Sequence, residues 1–387
     1  MRKLPDRCSD QEFARRYVAV RAAMRERGID CLLVYGNAQG WQNPFYLSNH
    51  WDLVSCWLLV PLDSEPVLVT GVYPHLAAVR AVSVVPDIRF GGRQAVALIA
   101  RILGERGLSQ GRLGVVEADS YRMPGVPHRD MLALQEALPR ARFEVVTAML
   151  ESIRRTKSAE EVEILRGCAG LTDLAFERVV EAIKPGVTEH ELSNVIAGSP
   201  GDTVAVLVGS TSMAKPDAPN PSIRPTSREL RQGDIVMLEL SKGAAGYAGQ
   251  LHGMVSLGPP TERFAHIHSL ALTAYDRIRE VLRAGCRGQQ VSDAVAFIRE
   301  AGYEIGNPLT HGFGLGIESG LHVGVPGHPA YWPTGDVTFP DGASLTIEPN
   351  PCTADMTFGG TAGAMVVVQP NGCEELHRQV SREIIVV

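Results

Sequence analysis

The sequence predicts two domains of mixed helix and strand: an α/β domain at residues 1–153 and an α+β domain at residues 154–387. A length of 387 residues suits two domains better than one. Helical and strand-like apolar patterns alternate in the first part, whereas the second part reads as helix pairs followed by runs of strands. A helix start signal near residues 154–158 separates the two patterns.

Within the first domain, apolar residues at helical spacing over residues 9–26 predict a helix that Gly28 ends. Further helices are predicted at 94–105 and 130–138, and strands at 31–35, 55–61, 66–70, 112–116 and 143–146. Trp41, His50, Trp51 and Trp57 cluster here, as core or as dimer contacts. Trp57 lies in a strand-like run, which favours the core for that residue.

The second domain opens on a capping box, in which the Ser158 hydroxyl and the Glu161 carboxylate each accept a backbone N–H of the other residue. Thr188 and Glu191 form another at the next helix. Helices are also predicted at 266–283 and 291–301, and strands at 203–208, 234–240, 247–257, 345–348, 364–368 and 384–387. The polar, Pro-rich residues 210–228 are predicted to be a loop. The order of elements, in which a helix pair and a run of strands occur twice, suggests an internally duplicated fold.

Composition excludes several classes of function. A net charge of -6 with scattered basic residues gives no case for nucleic acid or an anionic membrane as partner. Seven scattered cysteines without a CxxC pair predict reduced thiols in a cytoplasmic protein and no zinc–cysteine site. The N-terminus has no apolar signal-peptide core, and no run of about 18 apolar residues predicts a membrane span.

Seven short motifs, in order and in register along nearly the whole chain, resemble the creatinase and Xaa-Pro aminopeptidase superfamily. They are NPFYLS (43–48), RRTKSAEE (154–161), PGVTE (185–189), GDIVMLE (233–239), GYAGQ (246–250), THGFG (310–314) and TIEP (346–349) of the pattern t-i-E-P-g. The resemblance implies the pita-bread architecture: a creatinase-like α/β domain followed by a catalytic domain in which duplicated helix pairs pack on an antiparallel sheet.

The chain departs from this family at the metal site. Metal-dependent members hold two divalent ions with two Asp, one His and two Glu, and the resemblance places these ligands at Glu239, Gln250, His311, Glu348 and Gly363. One carboxylate is thus a neutral amide and one ligand is absent, although divalent cations need anionic oxygen ligands. We therefore expect no two-metal site; Glu239, His311 and Glu348 could still bind one divalent ion.

Creatinase is the relevant metal-free relative, with the ectoine hydrolases as a second such branch. The resemblance implies a metal-independent hydrolase that cleaves a C–N bond of a small polar molecule such as an amide, lactam or amidine. Glu239, His311 and Glu348 are expected to be catalytic, because adjacent buried carboxylates divide into acid and base roles. His252 joins them as a proton carrier, since strand residues two apart share a face and Gln250 is expected to face the site.

Other residues are assigned to substrate binding. Gln250 and Tyr247 accompany the GYAGQ motif, and Glu318 with His322 follows His311 closely enough to line the mouth of the site, or else to be solvated loop residues. Trp51 would cover the site of a partner subunit, as the homodimers of this superfamily suggest. The loop before Gly233 has no histidine, whereas creatinase is expected to use one as its proton shuttle; creatine is therefore doubtful as the substrate.

Three other functions stay open on the sequence. A proline-directed aminopeptidase with a reduced metal site would be metal-activated, and the missing ligand at Gly363 opposes it. A lyase or decarboxylase of a small metabolite is compatible with the fold, which does not determine the chemistry. A catalytically inactive relative that binds a ligand or partner is opposed by the joint retention of Glu239, His311 and Glu348.

Overall fold

The computed structural model describes residues 4–118, 125–218, 220–221, 224–325, 337–378 and 380–387. The chain divides into two compact units. The N-terminal unit is Arg7–Arg154, and the C-terminal unit is Arg155–Val387 together with the short segment that precedes Arg7.

Helices and strands alternate along the N-terminal unit, as the sequence predicts. In chain order the elements are α1 (Asp10–Arg27), β1 (Cys31–Asn37), α2 (Gln42–Ser48), β2 (Ser55–Pro61), β3 (Val67–Thr70), α3 (Leu76–Val82), β4 (Asp87–Phe90), α4 (Ala95–Glu105), β5 (Arg112–Val116), α5 (His128–Ala137), β6 (Arg142–Val145) and α6 (Thr147–Arg155). The predicted strands at 55–61 and 66–70 are confirmed as an antiparallel pair.

The predicted end of α1 at Gly28 is confirmed, and a serine cap begins the helix. The Ser9 hydroxyl accepts the N–H of Glu12 at the start, and Gly28 ends the helix with φ 65° while its N–H is donated to the Arg25 carbonyl. Glycine adopts this left-handed conformation without steric cost. The chain then enters β1, whose residues Cys31–Tyr35 are all buried.

The sheet of the N-terminal unit has the strand order β4-β3-β2-β1-β5-β6. β1 lies at its centre, antiparallel to β2 and parallel to β5. Trp57 of β2 is 1 % exposed, and its ring lies 5.0 Å from that of Tyr35. The core position predicted for Trp57 is therefore confirmed.

Helix pairs alternate with strands in the C-terminal unit. Its elements are α7 (Ala159–Ala182), α8 (Glu189–Ala197), β7 (Asp202–Ser212), β8 (Asp234–Ala244), β9 (Tyr247–Ala248), β10 (Leu251–Ser256), α9 (Glu262–Val281), α10 (Gly288–Asp293), α11 (Phe297–Glu300), β11 (Glu304–Ile305), β12 (Thr310–Gly314), β13 (Gly316–Val323), β14 (Ser344–Ile347), β15 (Pro351–Cys352), β16 (Gly363–Gln369), β17 (Gly372–Glu375) and β18 (Ile385–Val386). Both predicted capping boxes are present, at Ser158 and Thr188.

Among the described residues, the main sheet of this unit has the order β13-β12-β14-β16-β10-β8-β7, and every pair along this path is antiparallel. The helix pairs α7–α8 and α9–α10 bury their apolar faces against alternate residues of its strands, such as Leu238 and Leu240 of β8 and Leu251 of β10. Because side chains alternate along a strand, the residues between these project from the opposite face of the sheet.

Three local predictions are wrong. The helix predicted at 291–301 is broken into α10 and α11, and β7 continues to Ser212, into the predicted loop. The strand predicted at 247–257 is interrupted between β9 and β10, where Gly249 packs directly on α7. A Cβ on Gly249 would lie 2.8 Å from the Ala169 backbone, so the helix approaches too closely for a side chain there.

Seven cysteines are free thiols, and six of them are buried. In the part of the chain that the structure describes, no helix has both the length and the apolar character that crossing a membrane requires.

Candidate active site

The face of the main sheet that points away from the α7–α10 core carries most of the predicted catalytic residues. In β8 and β10, Glu239 and His252 are direct cross-strand partners. His311 of β12 lies opposite Thr346 of β14, and Glu348 follows directly after that strand. Sheet register therefore brings together residues that are up to about a hundred positions apart in the sequence.

A hydrogen-bonded chain of three side chains forms one arm of the site, which we call the amide arm. Gln250 Nε2 donates to Glu239 Oε1 at 2.7 Å, and Thr346 Oγ1 donates to Gln250 Oε1 at 2.6 Å. Both ends of the Gln250 amide are therefore engaged. Glu239 is half-buried, whereas Gln250 and Thr346 are buried.

The other arm, the histidine arm, consists of Glu348 between two imidazoles. His252 Nε2 lies 3.3 Å from Glu348 Oε2, and His311 Nε2 lies 3.5 Å from Glu348 Oε1. All three side chains are buried. A buried carboxylate of this kind is stable only with partners that share its charge or its proton, and two imidazoles can do so.

Burial, with a smaller contribution from the nearby His377, lowers the pKa of His252 to about 3, so the ring is neutral near neutral pH. Its Nδ1 lies 3.2 Å from the hydroxyl of Thr361. A carboxylate only accepts hydrogen bonds, so an ionised Glu348 requires the proton on Nε2, with Nδ1 accepting from Thr361. The Glu348 carboxylate therefore selects this tautomer, and the Thr361 hydroxyl, which can donate as well as accept, is compatible with it.

The opposite tautomer follows for His311. Its Nδ1 lies 3.2 Å from the carbonyl oxygen of Gly312, which can only accept, so Nδ1 carries the proton. The lone pair of Nε2 then faces Glu348 Oε1 at 3.5 Å, so these two acceptors form a place for one further proton. The His311 ring also stacks on His322, with centroids 5.9 Å apart, and meets Phe313 edge-on at 5.7 Å.

Glu318 and His322 lie in β13 and are buried, so the alternative of solvated loop residues is wrong. Glu318 Oε2 accepts from Lys157 Nζ at 2.7 Å, in an ion pair whose side chains are 2 % and 0 % exposed, and Glu318 Oε1 accepts the N–H of Leu315. The pair ties β13 to the chain segment that precedes α7. Glu318 therefore contributes to holding the β12–β13 hairpin, on which His311 lies.

Tyr247 is hydrogen-bonded to the start of α7. The Tyr247 hydroxyl donates to Glu161 Oε1 at 2.5 Å and so joins β9 to the capping box of α7. Trp51 belongs to the N-terminal unit, between α2 and β2, and is 49 % exposed. Its predicted role over a partner's site stays a prediction.

Sequence reasoning missed Thr346, Thr361 and the buried pair Asp173–His377, in which His377 Nδ1 lies 2.8 Å from Asp173 Oδ1. Asp173 also accepts the backbone N–H of Arg378. No sequence motif marks Thr361, Asp173 or His377, and Thr346 belongs to the TIEP motif but was assigned no role, because each acts through a partner about 100 to 200 positions away.

The two-ion site of metal-dependent relatives does not fit these residues. The Gln250 amide is engaged at both ends, and a Cβ at Gly363 would lie 2.4 Å from the Ile347 carbonyl oxygen, which closes that ligand position. A single ion does fit: ligand atoms of Glu239, His252 and Glu348 all lie within 4.8 Å of one another. His252 thus takes the place that the sequence assigned to His311 in the single-ion set.

The fold and this site define the class of pita-bread hydrolases. The chain belongs to metallopeptidase family M24, whose profile matches residues 163–370, and residues 16–156 match the creatinase/prolidase N-terminal domain. The superfamily and the architecture predicted from the motifs are thereby confirmed.

Known relatives have differing activities. The chain is 24 % identical to the ectoine hydrolase of Halomonas elongata over 95 % of both proteins. It is 27 % identical to the Xaa-Pro dipeptidase of Lactobacillus helveticus over 56 % of this chain, and that alignment spans only 58 % of the dipeptidase. The X-Pro aminopeptidase of Thermotoga maritima superposes with a TM-score of 0.81 at 20 % identity, covering 96 % of this chain and 99 % of that structure, which shows the common fold.

Proposed function

We propose that this protein hydrolyses a C–N bond in a small polar molecule by acid–base catalysis, without a metal ion. The observation that carries the proposal is the conversion of the two-ion ligand set. Gln250 is engaged as an amide, position 363 is closed, and Glu348 is instead flanked by two imidazoles within 3.3 and 3.5 Å. Such a set holds and moves protons near neutral pH.

In this mechanism Glu348 and His311 act as one proton-sharing pair. The pair takes a proton from water as the water oxygen forms a bond to the carbonyl or amidine carbon. The C–N bond then breaks, and the same proton passes to the leaving nitrogen, so the pair returns to its initial state. Neutral His252 orients Glu348 from the other side, and the Thr361 hydroxyl pairs with the other ring nitrogen of His252.

Glu239 contributes the accessible end of the site. It is half-buried, and Gln250 holds one of its oxygens in place. A carboxylate in this position suits a substrate with N–H donors or a positive charge, such as an amide, a lactam or an amidine. The ectoine hydrolase, which aligns over 95 % of both chains, supports a small non-peptide substrate.

A second candidate is a single-metal hydrolase of Xaa-Pro peptides, which the mutual proximity of Glu239, His252 and Glu348 favours. These residues would hold one divalent ion, which would supply Lewis-acid polarisation of the scissile carbonyl. Glu239 and Glu348 would then act as ligands, and proton transfer would depend on His311.

The test combines metal analysis with a substrate panel. Purified full-length protein, dialysed without chelator, is analysed by elemental mass spectrometry and then assayed on ectoine, creatine, small lactams and Xaa-Pro dipeptides, with and without EDTA. Less than about one ion per ten chains, with EDTA-resistant cleavage of a non-peptide compound, is the expected result. A content of about one ion per chain, together with EDTA-sensitive dipeptide cleavage, establishes the second candidate instead.

A small-molecule substrate, a homodimer and a cytoplasmic location also remain proposals.

A further inference from the structure

The pairing of β12 with β13 is irregular at His311. Gly312 pairs with Glu318 of β13, but the register shifts immediately before this pair, between Thr310 and Gly312. His311 lies at this shift. A β-bulge changes the direction of nearby side chains and is common next to active sites. The contacts that hold Gly312 and Glu318 therefore help to determine how the His311 ring is directed.

Gly312 links the β12–β13 hairpin to the tautomer of His311. Its carbonyl oxygen lies 3.2 Å from His311 Nδ1 and can only accept, which places the proton on Nδ1. Gly312 also lies directly against Glu318: a Cβ on this glycine would be 2.6 Å from the Glu318 carbonyl oxygen and 2.9 Å from the Glu318 Cβ. The position of Glu318 therefore constrains the carbonyl group that binds His311.

A buried lysine holds Glu318 in place. Lys157 Nζ lies 2.7 Å from Glu318 Oε2, and neither side chain is more than 2 % exposed. Glu318 Oε1 accepts the N–H of Leu315 at 3.1 Å, so both carboxylate oxygens are bonded. The lysine stem lies against Gly314, where a Cβ would be 3.1 Å from Lys157 Cε. The ion pair thus packs directly on the backbone of the hairpin.

The backbone of Lys157 is fixed as well. Its N–H is donated to the Gly342 carbonyl oxygen at 3.0 Å, and the preceding Thr156 forms an antiparallel bridge with Ala343. These two partners lead directly into β14, which pairs with β12 on the side opposite β13. Lys157 therefore connects the segment before α7 to both strands that flank β12.

We propose that Lys157 is a positioning residue for His311, which it orients through Glu318 and Gly312. The inference rests on the proposed function, in which His311 and Glu348 share the proton that is transferred. The role of Lys157 is to keep the Nε2 lone pair of His311 directed at Glu348, and the lysine itself transfers no proton. A buried charge that loses its partner is strongly unfavourable, so the ion pair resists displacement.

The test is spectroscopic and needs no substrate. In full-length protein labelled with ¹⁵N-histidine, long-range ¹H–¹⁵N correlation spectra distinguish the two tautomers of each imidazole, and a His311→Gln variant identifies the His311 signals. We expect wild-type His311 to be protonated on Nδ1. In the double variant Lys157→Met/Glu318→Gln, which leaves no charge buried, the His311 signals should shift toward the average of the two tautomers.

Kinetics give the second readout of the same double variant. On any substrate that the panel identifies, kcat should fall about ten-fold or more with KM unchanged, because His311 is misdirected while substrate contacts remain. Thermal unfolding checks that the variant is folded. If it is not, Glu318→Gln alone, which keeps the shape and the bond to Leu315, is used for both readouts.

Two controls separate positioning from general damage. Lys184→Met is the same change at an exposed lysine just after α7. Tyr247→Phe removes the 2.5 Å bond to Glu161, four residues after Lys157, and so disturbs the start of α7 without changing the ion pair. Both variants should leave the His311 signals where they are in the wild type.

An unchanged His311 tautomer in the folded variant overturns the proposal, as does a wild type in which Nδ1 of His311 carries no proton. Failure of both the double variant and Glu318→Gln to fold would assign the ion pair to stability alone and overturn it too. If no compound of the panel is cleaved, the proposed function fails while the spectra still decide the role of Lys157, so the two failures are distinguishable.

Discussion

The two arms of the candidate site each contain one glutamate, but they differ in how tightly that glutamate is bonded. In the amide arm, Gln250 makes hydrogen bonds of 2.7 and 2.6 Å to Glu239 and Thr346. In the histidine arm, the imidazoles of His252 and His311 stand 3.3 and 3.5 Å from Glu348, beyond the usual range for an N–H···O bond. Catalytic hydrogen bonds are often long in a ligand-free site and tighten around the substrate. We therefore infer that the amide arm positions the substrate and that the histidine arm transfers protons.

Removal of the carboxylate from the histidine arm should have the largest effect. Glu348→Gln keeps the shape but can no longer share a proton with His311, so kcat is expected to fall about 1,000-fold on whatever substrate the panel identifies. Thermal unfolding should show the variant folded. Glu300→Gln, on the exposed surface of α11, is the matched control. A loss of less than about ten-fold would move the reactive role to the other arm.

A second carboxylate in the amide arm should make this arm more like a metal site. Gln250→Glu removes the donor to Glu239 and places two acceptors about 3 Å apart, which costs about 1–3 kcal/mol of unfolding free energy and about ten-fold in activity. The same change should raise the affinity for Mn²⁺ by about ten-fold or more, because it restores an anionic ligand. Both changes are measured, by calorimetry and by denaturant titration. Unchanged Mn²⁺ affinity would show that position 250 is not in the former ligand set.

Stability should fall in acid because of buried neutral histidines. Burial lowers the pKa of His252 to about 3 and that of His268 to about 4, below the value of about 6.5 for an unfolded chain. Between about pH 6.5 and these values the unfolded chain binds protons that the native state does not. Each group should therefore cost about 1.4 kcal/mol of unfolding free energy per pH unit as the pH falls through this window.

The two histidines differ in their link to function. His268 lies on α9, outside both arms, so His268→Gln should reduce the acid slope in denaturant titrations between about pH 6 and pH 4 and leave activity unchanged. His252→Gln should reduce the slope and also lower kcat. An acid slope that neither variant changes would show that other groups control stability at low pH.

The smallest effects are expected from the two buried threonines, which form a matched pair. Thr361→Val removes the hydroxyl that pairs with His252 Nδ1, and a few-fold loss of kcat with an altered pH profile is expected. Thr346→Val removes a bond to Gln250 and should instead cost about 1 kcal/mol of stability with the pH profile unchanged. The same pH profile in both variants would remove the distinction between the arms.

Much of the fold could be predicted because its signals are local. Ser9 and Gly28 mark the ends of α1, and the capping boxes at Ser158 and Thr188 begin α7 and α8 where predicted. The broken strand at Gly249 was not predictable, since the break depends on how closely α7 packs against it. The helix predicted at 291–301 failed for a similar reason: an apolar pattern does not show that a turn divides α10 from α11.

The sequence predicted which residues belong to the site better than it predicted how they are arranged. Motif register identified Glu239, Gln250, His311 and Glu348, and strand alternation added His252, all of which lie in the two arms. Glu318 was expected at an accessible mouth and is instead buried against Lys157. Sequence spacing alone could not reveal a partner 161 positions away.

The sequence by itself determined the family, the two-domain pattern and the loss of the two-metal ligand set, because these depend on residue identities and on short-range spacing. Only the tertiary structure decided which oxygen faces which nitrogen. It placed His252 rather than His311 with Glu239 and Glu348 as the possible three-donor set, and it left no room for a side chain at position 363. The physical reason is that hydrogen-bond direction, tautomer and free space are set by strands that meet through the sheet, far apart along the chain.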